Sequence, residues 1–494
     1  MTPEGLGATG DMPPEELRRL AHETADWIAD YMASVEGLPV FPDTMPGDLR
    51  AALPASAPED GESMDRVLQD FRDLVVPGLT HWNHPGFFGY FAITSSGPGV
   101  LAEMLAAALN VNAMVWRSSP AATELEDVTT EWLRILLGLP GGFEGVINDT
   151  ASSSSLYALA AAREVAYPEA HRTGLFGLPA GRIYASEQAH SSIEKAVLTL
   201  GFGQDGFRTI PCDPEYRMDV GALRAAMEED VAAGVRPVAV VPTLGTTSSG
   251  SIDPVAAVGA VARDFGAWMH IDAAYGGPVA ILPELRPMFD GWEQADSIVV
   301  NPHKWLFTPI DCSVLYCRRP EALVRAFSIV PEYLTSSEQS ESRSLMDYGV
   351  SLGRRFRALK LWFVLRYFGR EGIVRRLREH VRIAADLEGW VAKTEGWRVV
   401  APVHLGLVTL RYAPTGVVGP TLDAMNHKIL DRVNASGEAF LTHTVLDGRT
   451  VIRVSIGNIK TTEEHVARVW ALLLDAAATV SAAVDETRQA DPAR

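Results

Sequence analysis

The amino-acid sequence predicts an α/β protein with a mostly parallel central sheet. Three observations carry that expectation. From about residue 97, apolar runs of strand length alternate with helical runs, as crossover units require. Long amphipathic helices follow near residue 352, and a smaller unit with its own strands comes after them. Over 494 residues, 47% hydrophobic and 21% charged content is enough apolar chain to bury a core of that size.

The front of the chain differs from the rest. Residues 1 to about 13 are rich in Gly and Pro and predict no element. Leu17, Leu20, Ala21, Ala25, Ile28, Tyr31 and Met32 then recur at helical spacing. A Pro-studded connector follows, a second helix is expected over about 63–75, and "THWNHPGFFGYF" comes next. Residues 1–96 therefore read as a helical arm, and 97–370 as a large α/β domain. Residues 371–494 read as a small C-terminal α+β domain whose last 15 or so residues form a loose tail.

Within the large domain "GVLAEMLAAALNVNAMVW" is broken by Glu103, Asn110 and Asn112, so it reads as a buried helix rather than a membrane span. "GVIND", "GRIYAS", "PVAVVPT", "AWMHID", "DSIVVN" and "CSVLYC" read as strands, with "FRTIP" as a further one. "GRRFRALKLWFVLRYFG" and "IVRRLREHVRIAADLEGWVAK" read as long helices with solvated basic faces. "HLGLVTLRYA" and "VIRVSIG" are strands of the small domain, and "TEEHVARVWALLLDAA" is its helix.

A net charge of −19 argues against nucleic acid as a partner, because a phosphate backbone selects clustered Lys and Arg. The first residues lack an apolar signal core, so no membrane association and a cytoplasmic location are expected. Cys212, Cys312 and Cys317 form no CxxC pair, which removes a disulfide framework or zinc knuckle. "GFGQDG" matches GxGxxG, but a helix precedes it and a strand follows, the reverse of a dinucleotide site. His81 and His84 in "HWNH" lack a nearby carboxylate and read as aromatic-rich packing, with no metal expected.

Four signals point to one edge of the sheet, just beyond strand C-termini. In "NDTASSSSLYALAAAR", Thr150, Ala151 and Ser152 stand at a strand-to-helix turn, where hydroxyls and free amides suit phosphate as well as plain capping. "HIDAAYGG" puts His270 and Asp272 at a strand end, and "EQAHSS" puts His190 just past another. In "SIVVNPHKWLF", Lys304 is a charge in an apolar run, so it is expected to be neutral, paired or covalently modified. A lysine able to form a Schiff base, an acid for a ring nitrogen, an aromatic His and a phosphate cradle are the parts of a pyridoxal 5'-phosphate site.

"SPAATELEDV", "EQAHSS", "TLGTTSSGSIDP", "HIDAAYGG", "NPHKW" and "LGRRFRALKLWFVLRYFGREG", in this order within a likeness that covers roughly residues 13–475, resemble the group II pyridoxal-phosphate decarboxylases, above all the aromatic L-amino acid decarboxylases. The resemblance implies the aspartate-aminotransferase fold (fold type I) and a homodimer with its active site at the interface. It implies that Lys304 carries the cofactor, Asp272 pairs with the ring nitrogen, His190 stacks on the ring, and Thr150, Ala151 and Ser152 bind the phosphate. Thr247, His270, Ser297, Asn301 and His303 match further cofactor positions. The implied reaction turns an aromatic L-amino acid into its amine and CO₂. The alternatives are an aldehyde synthase consuming O₂, or a decarboxylase of a non-aromatic acid such as 2,4-diaminobutyrate or glutamate.

The family's protonating tyrosine lies on a mobile loop, here "SIVPEYLTSSEQSESRSLMDYGVS", with Tyr348 as the candidate. The spacing from Tyr348 to "LGRRF" is about three residues shorter than the family's, and without a deletion the position falls on Leu345. The implied substrate pocket contains Trp82, Tyr90, Phe91 and Ile93, with Asn112 and Met114 reaching in from the partner subunit. Ile93, Asn112 and Met114 depart from the animal members' residues, which leaves the ring open.

Overall fold

The computed structural model describes residues 10–329 and 342–490. Seven strands form the central sheet: β1 (Glu144–Asn148), β2 (Gly181–Ser186), β3 (Phe207–Ile210), β4 (Arg236–Val241), β5 (Trp268–Asp272), β6 (Ser297–Val300) and β7 (Ser313–Cys317). Their order is β1-β7-β6-β5-β4-β2-β3. Only β7 runs against the rest, pairing antiparallel with both β1 and β6. The mostly parallel expectation holds, and every expected strand is present. Buried positions run without alternation through β5, β6 and β7, because helices cover both faces.

The small domain has a second, antiparallel sheet ordered β10-β11-β9-β8, from β8 (Trp397–Val399), β9 (Leu407–Tyr412), β10 (Thr442–Leu446) and β11 (Arg449–Ser455). Its core takes Val466, Val469, Trp470, Leu473 and Ala477 from the helix Glu463–Ala490. That helix is apolar and long enough to cross a membrane by length and composition, yet it faces this core. It continues to Ala490, into the segment expected to be a loose tail.

Two domain boundaries shift. The long helix Arg357–Lys393 breaks at Gly369 (φ 58°, ψ 177°), where the sequence predicts two helices. Its Leu361, Ile373 and Leu377 belong to the large core, while Ile383, Leu387 and Val391 belong to the small one. The hand-over therefore lies inside a helix. The front of the chain is also not only an arm. Phe88 N–H donates to Phe440 O, Phe440 N–H to Gly86 O and Ser455 N–H to Phe88 O, so this segment is stitched into the small domain.

The helix Gly97–Leu109 was expected to be buried, but Leu101 (57%), Leu105 (48%) and Leu109 (59%) are exposed in the single chain. Together with Trp362, Phe363 and Tyr367 the start of this helix lines an apolar groove. The "GFGQDG" stretch is a turn between helix and strand, with Gly201 and Gly203 at φ 85° and 73°. His81 bonds Tyr31 Oη at 2.9 Å, and His84 accepts Gly86 N–H at 2.8 Å, so both rings serve packing.

Candidate active site

The turns after β1, β2, β4, β5 and β6 all leave the same edge of the sheet. After β1, Thr150 caps the helix Ala151–Ala166 in extended geometry and makes no side-chain capping bond. The first-turn amides are thus available to an anion, with the Thr150 and Ser152 hydroxyls beside them. Asp272 ends β5, buried, with Oδ1 accepting Ala274 N–H at 3.1 Å. After β2, His190 holds its ring with Nδ1 2.8 Å from Ser192 Oγ, a part-buried contact. Burial lowers the His190 pKa, Asp272 opposes the shift and Lys304 adds to it. The three groups therefore lie within electrostatic reach of one another.

The β6 turn forms the short helix Pro302–Trp305, which delivers Lys304. Its Nζ stands 5.1 Å from the Phe91 ring centroid. Burial lowers the Lys304 pKa below the ordinary lysine value; Asp272 opposes this and Arg453 adds to it. The loop after β4 contains Thr247 and is pinned by Asp253, which accepts the amides of Met218 and Thr243 at 2.7 Å each. Thr243 bridges to Asp272.

Several sequence expectations need correction. Ser297 begins β6 at the opposite end from Lys304, and its hydroxyl is occupied by Trp268 Nε1 (2.8 Å) and His270 Nδ1 (2.9 Å). The other nitrogen of His270 meets Ser155 Oγ at 3.0 Å. In the free chain the Ser297 hydroxyl and both ring nitrogens of His270 are thus engaged with one another and with Trp268 and Ser155. His303 Nδ1 accepts Cys312 N–H at 2.9 Å, which fixes the ring against β7. Tyr348 is buried with its hydroxyl on Glu144, the first residue of β1. That is about 13 Å of strand from the Asn148 end, so Tyr348 does not join Lys304 in this chain. Residues 330–341 of the expected lid lie outside the described residues.

Phe91 is buried and stacks on Tyr275 at 3.7 Å between centroids, while Trp82 and Tyr90 stack at 5.7 Å. Ile93 is partly buried two residues on. Asn112 and Met114 contact each other, and meet Arg354 N–H and Met346 N–H rather than the Lys304 group.

Sequence reasoning missed Arg453. It is almost fully buried on β11, with Cζ 5.4 Å from the Phe91 centroid. It donates to Thr442 Oγ1 at 2.9 Å and to Tyr90 O at 3.1 Å, and its Nε has no partner. No carboxylate pairs with it among the described residues, and burial lowers its pKa to about 10. The signal was present: "VIRVSIG" is a charge in an apolar run, as Lys304 is.

The arrangement fits pyridoxal phosphate. It offers open amides at a helix N-terminus, a buried acid, a lysine pushed toward neutrality and buried polar atoms without partners at Thr243 Oγ1 and Asn301 Oδ1. Comparison with known proteins agrees. The family description "Pyridoxal-dependent decarboxylase conserved domain" matches residues 46–413. Tyrosine decarboxylase 2 of Narcissus pseudonarcissus is 40% identical over 484 residues, covering 96% of each chain. Phenylacetaldehyde synthase of Arabidopsis thaliana is 39% identical over 477 residues, covering 94% of this chain and 96% of that one. The crystal structure of Oryza sativa TDC with PLP and tryptamine superposes with a TM-score of 0.92 at 38% identity, covering 94% of this chain and 98% of that one. The chain belongs to the pyridoxal-dependent decarboxylase family, and pyridoxal phosphate is its cofactor.

Proposed function

We propose that the chain decarboxylates an aromatic L-amino acid to its amine and CO₂, acting as a homodimer. The observation that carries the aromatic class is the pair of rings beside Lys304, Phe91 stacked on Tyr275, with the Trp82–Tyr90 stack in the same chain segment as Phe91. The likeness to a tyrosine decarboxylase and to a tryptamine-bound structure supports the same class.

Bound pyridoxal phosphate supplies the sink for the electron pair left at Cα when CO₂ departs. The chain's own groups prepare that step. The amides from Ala151 onward and the hydroxyls of Thr150 and Ser152 hold the phosphate. Lys304, whose charged form burial disfavours, would hold the cofactor through Nζ, a neutral amine being the form able to bond its aldehyde carbon. Asp272 holds a proton at the ring nitrogen through its carboxylate. His190, within electrostatic reach of Asp272 and Lys304, would contribute its aromatic ring to holding the cofactor. Arg453 binds the substrate carboxylate, the anion its buried guanidinium lacks in the free chain.

The exposed apolar face of the helix Gly97–Leu109 and the groove at Trp362 and Tyr367 support the dimer, since water is a poor partner for a patch of that kind. Asn112 and Met114, which stay away from Lys304 within one chain, take their place in the partner's pocket.

A CO₂-release screen of Tyr, Dopa, Trp, 5-hydroxytryptophan, Phe and His, with acidic and basic amino acids alongside, tests the reading. Turnover confined to aromatic substrates is expected. Turnover only of glutamate or 2,4-diaminobutyrate overturns the aromatic assignment and leaves the cofactor and fold in place. The likeness to phenylacetaldehyde synthase favours a second outcome, the aldehyde, so ammonia and peroxide are measured in the same reactions. Stoichiometric ammonia identifies the aldehyde synthase.

A further inference from the structure

His380 lies on the long helix Arg357–Lys393, away from the cofactor turns, and is completely buried. Its Nδ1 accepts the Trp305 indole N–H at 2.9 Å. That bond fixes the tautomer, with the proton on Nε2. Nε2 faces the backbone of Asn458 without reaching good hydrogen-bond geometry. An apolar side chain fills a ring-lined site without leaving a buried N–H so poorly satisfied, so simple packing does not explain a histidine here.

Trp305 directly follows Lys304. Its indole is parallel to Tyr275, with centroids 4.8 Å apart and 4° between planes. Tyr275 stacks on Phe91 at 3.7 Å, and Phe91 is the ring approached by both Lys304 Nζ and the Arg453 guanidinium. The small domain grips the same indole. A Cβ on Gly406 stands only 2.7 Å from Trp305 Cζ2, and one on Gly457 3.5 Å from Cδ1. The column of rings thus runs from His380, between the two domains, to the two cations that handle substrate.

We propose that His380 is a positioning residue for the decarboxylation site: by accepting the Trp305 N–H it fixes the ring column that sets Lys304 against Arg453. A rotated indole shifts Tyr275 and Phe91 with it, because parallel rings in contact move as a unit in a close-packed interior. The proposal rests on the assignment of Arg453 to the substrate carboxylate and of Lys304 to the cofactor.

The test compares His380→Leu with His380→Asn in the cofactor-loaded enzyme, on whichever amino acid the wild type turns over. Asn offers Oδ1 near the place of Nδ1. Under the proposal, Leu lowers kcat/KM about 10-fold or more and moves the midpoint of the cofactor absorbance titration, while Asn restores both to within about threefold. Trp305→Phe keeps the ring and deletes the N–H. It should be impaired by itself, and adding His380→Leu to it should cause no further loss. The absorbance titration needs no substrate, so it reports on His380 even where the aromatic assignment fails. The proposal is overturned by a His380→Leu enzyme with wild-type kcat, KM and titration midpoint, whatever its melting temperature. It is equally overturned by Asn and Leu variants impaired alike, or by additive losses in the Trp305→Phe pair.

Discussion

Replacing Arg453 with Met separates the two effects of this side chain. In the free enzyme its guanidinium is buried without a carboxylate partner among the described residues, and burial pushes its pKa down to about 10. Holding it charged at neutral pH therefore costs ~3 kcal/mol. Two hydrogen bonds to neutral acceptors, Thr442 Oγ1 and Tyr90 O, offset about 1 kcal/mol each. The Met variant should then be about 1 kcal/mol more stable than wild type without cofactor or substrate. Its activity should collapse. A forked contact to a carboxylate contributes two charge-assisted hydrogen bonds of about 1.5–3 kcal/mol each, so kcat/KM should fall by at least ~10²-fold. Urea denaturation of the cofactor-free protein measures the first effect and steady-state CO₂ release the second. A variant with kcat/KM within threefold of wild type refutes the carboxylate assignment. A variant destabilised by several kcal/mol refutes the claim that the charge is held at a cost.

Three further outcomes follow from the geometry. Asp272→Asn cannot hold a proton at the ring nitrogen; it should bind cofactor at full stoichiometry, seen by absorbance, yet lose about 10²-fold or more in kcat. Leu105→Glu places a charge on the exposed apolar helix face, and light scattering should show monomers; an unchanged mass contradicts the dimer face. Burial pushes the pKa values of His270, His303 and His380 down to about 4, 3 and 3. All three are neutral in both states above pH 6.5, but below it the unfolded chain binds about three more protons, so stability falls as pH drops from 6.5 toward 4. The slope should approach ~4 kcal/mol per pH unit near pH 5, and equal urea midpoints at pH 7 and pH 5 would contradict it.

The sheet edge was legible because parallel strands force their C-termini together: "NDTAS", "EQAHS", "HIDAA" and "NPHK" were each read as following a strand, and the topology then brings them together. What failed was direction within a strand and distance across domains. Ser297 was expected at the site from the resemblance alone, and the strand carries it to the end of β6 away from Lys304. Spacing also cannot say which end of the sheet a turn reaches, and in the single chain the Tyr348 hydroxyl rests on Glu144 at the far end of β1. Arg453 belongs to another domain, and no local pattern announces which buried anion it awaits. The hairpin strand β10 was missed because its first three residues, Thr442, His443 and Thr444, are polar and break the apolar alternation. The helix Gly97–Leu109 reads as buried from composition alone, because sequence does not distinguish a core from a face awaiting a partner.

The stitching of the Gly86–Tyr90 segment into the small domain has a consequence for synthesis. Tyr90 N–H bonds Thr442 Oγ1 across 352 residues of chain. At roughly 5–20 residues per second, the aromatic stretch Phe87, Phe88, Phe91 leaves the ribosome roughly 20–70 s before its strand partners exist. For that interval this aromatic segment, which includes Phe91 of the future substrate wall, is unpaired and sticky. The nascent chain should therefore recruit chaperones early, and release of the last quarter of the chain, rather than closure of the large sheet, should complete the active site.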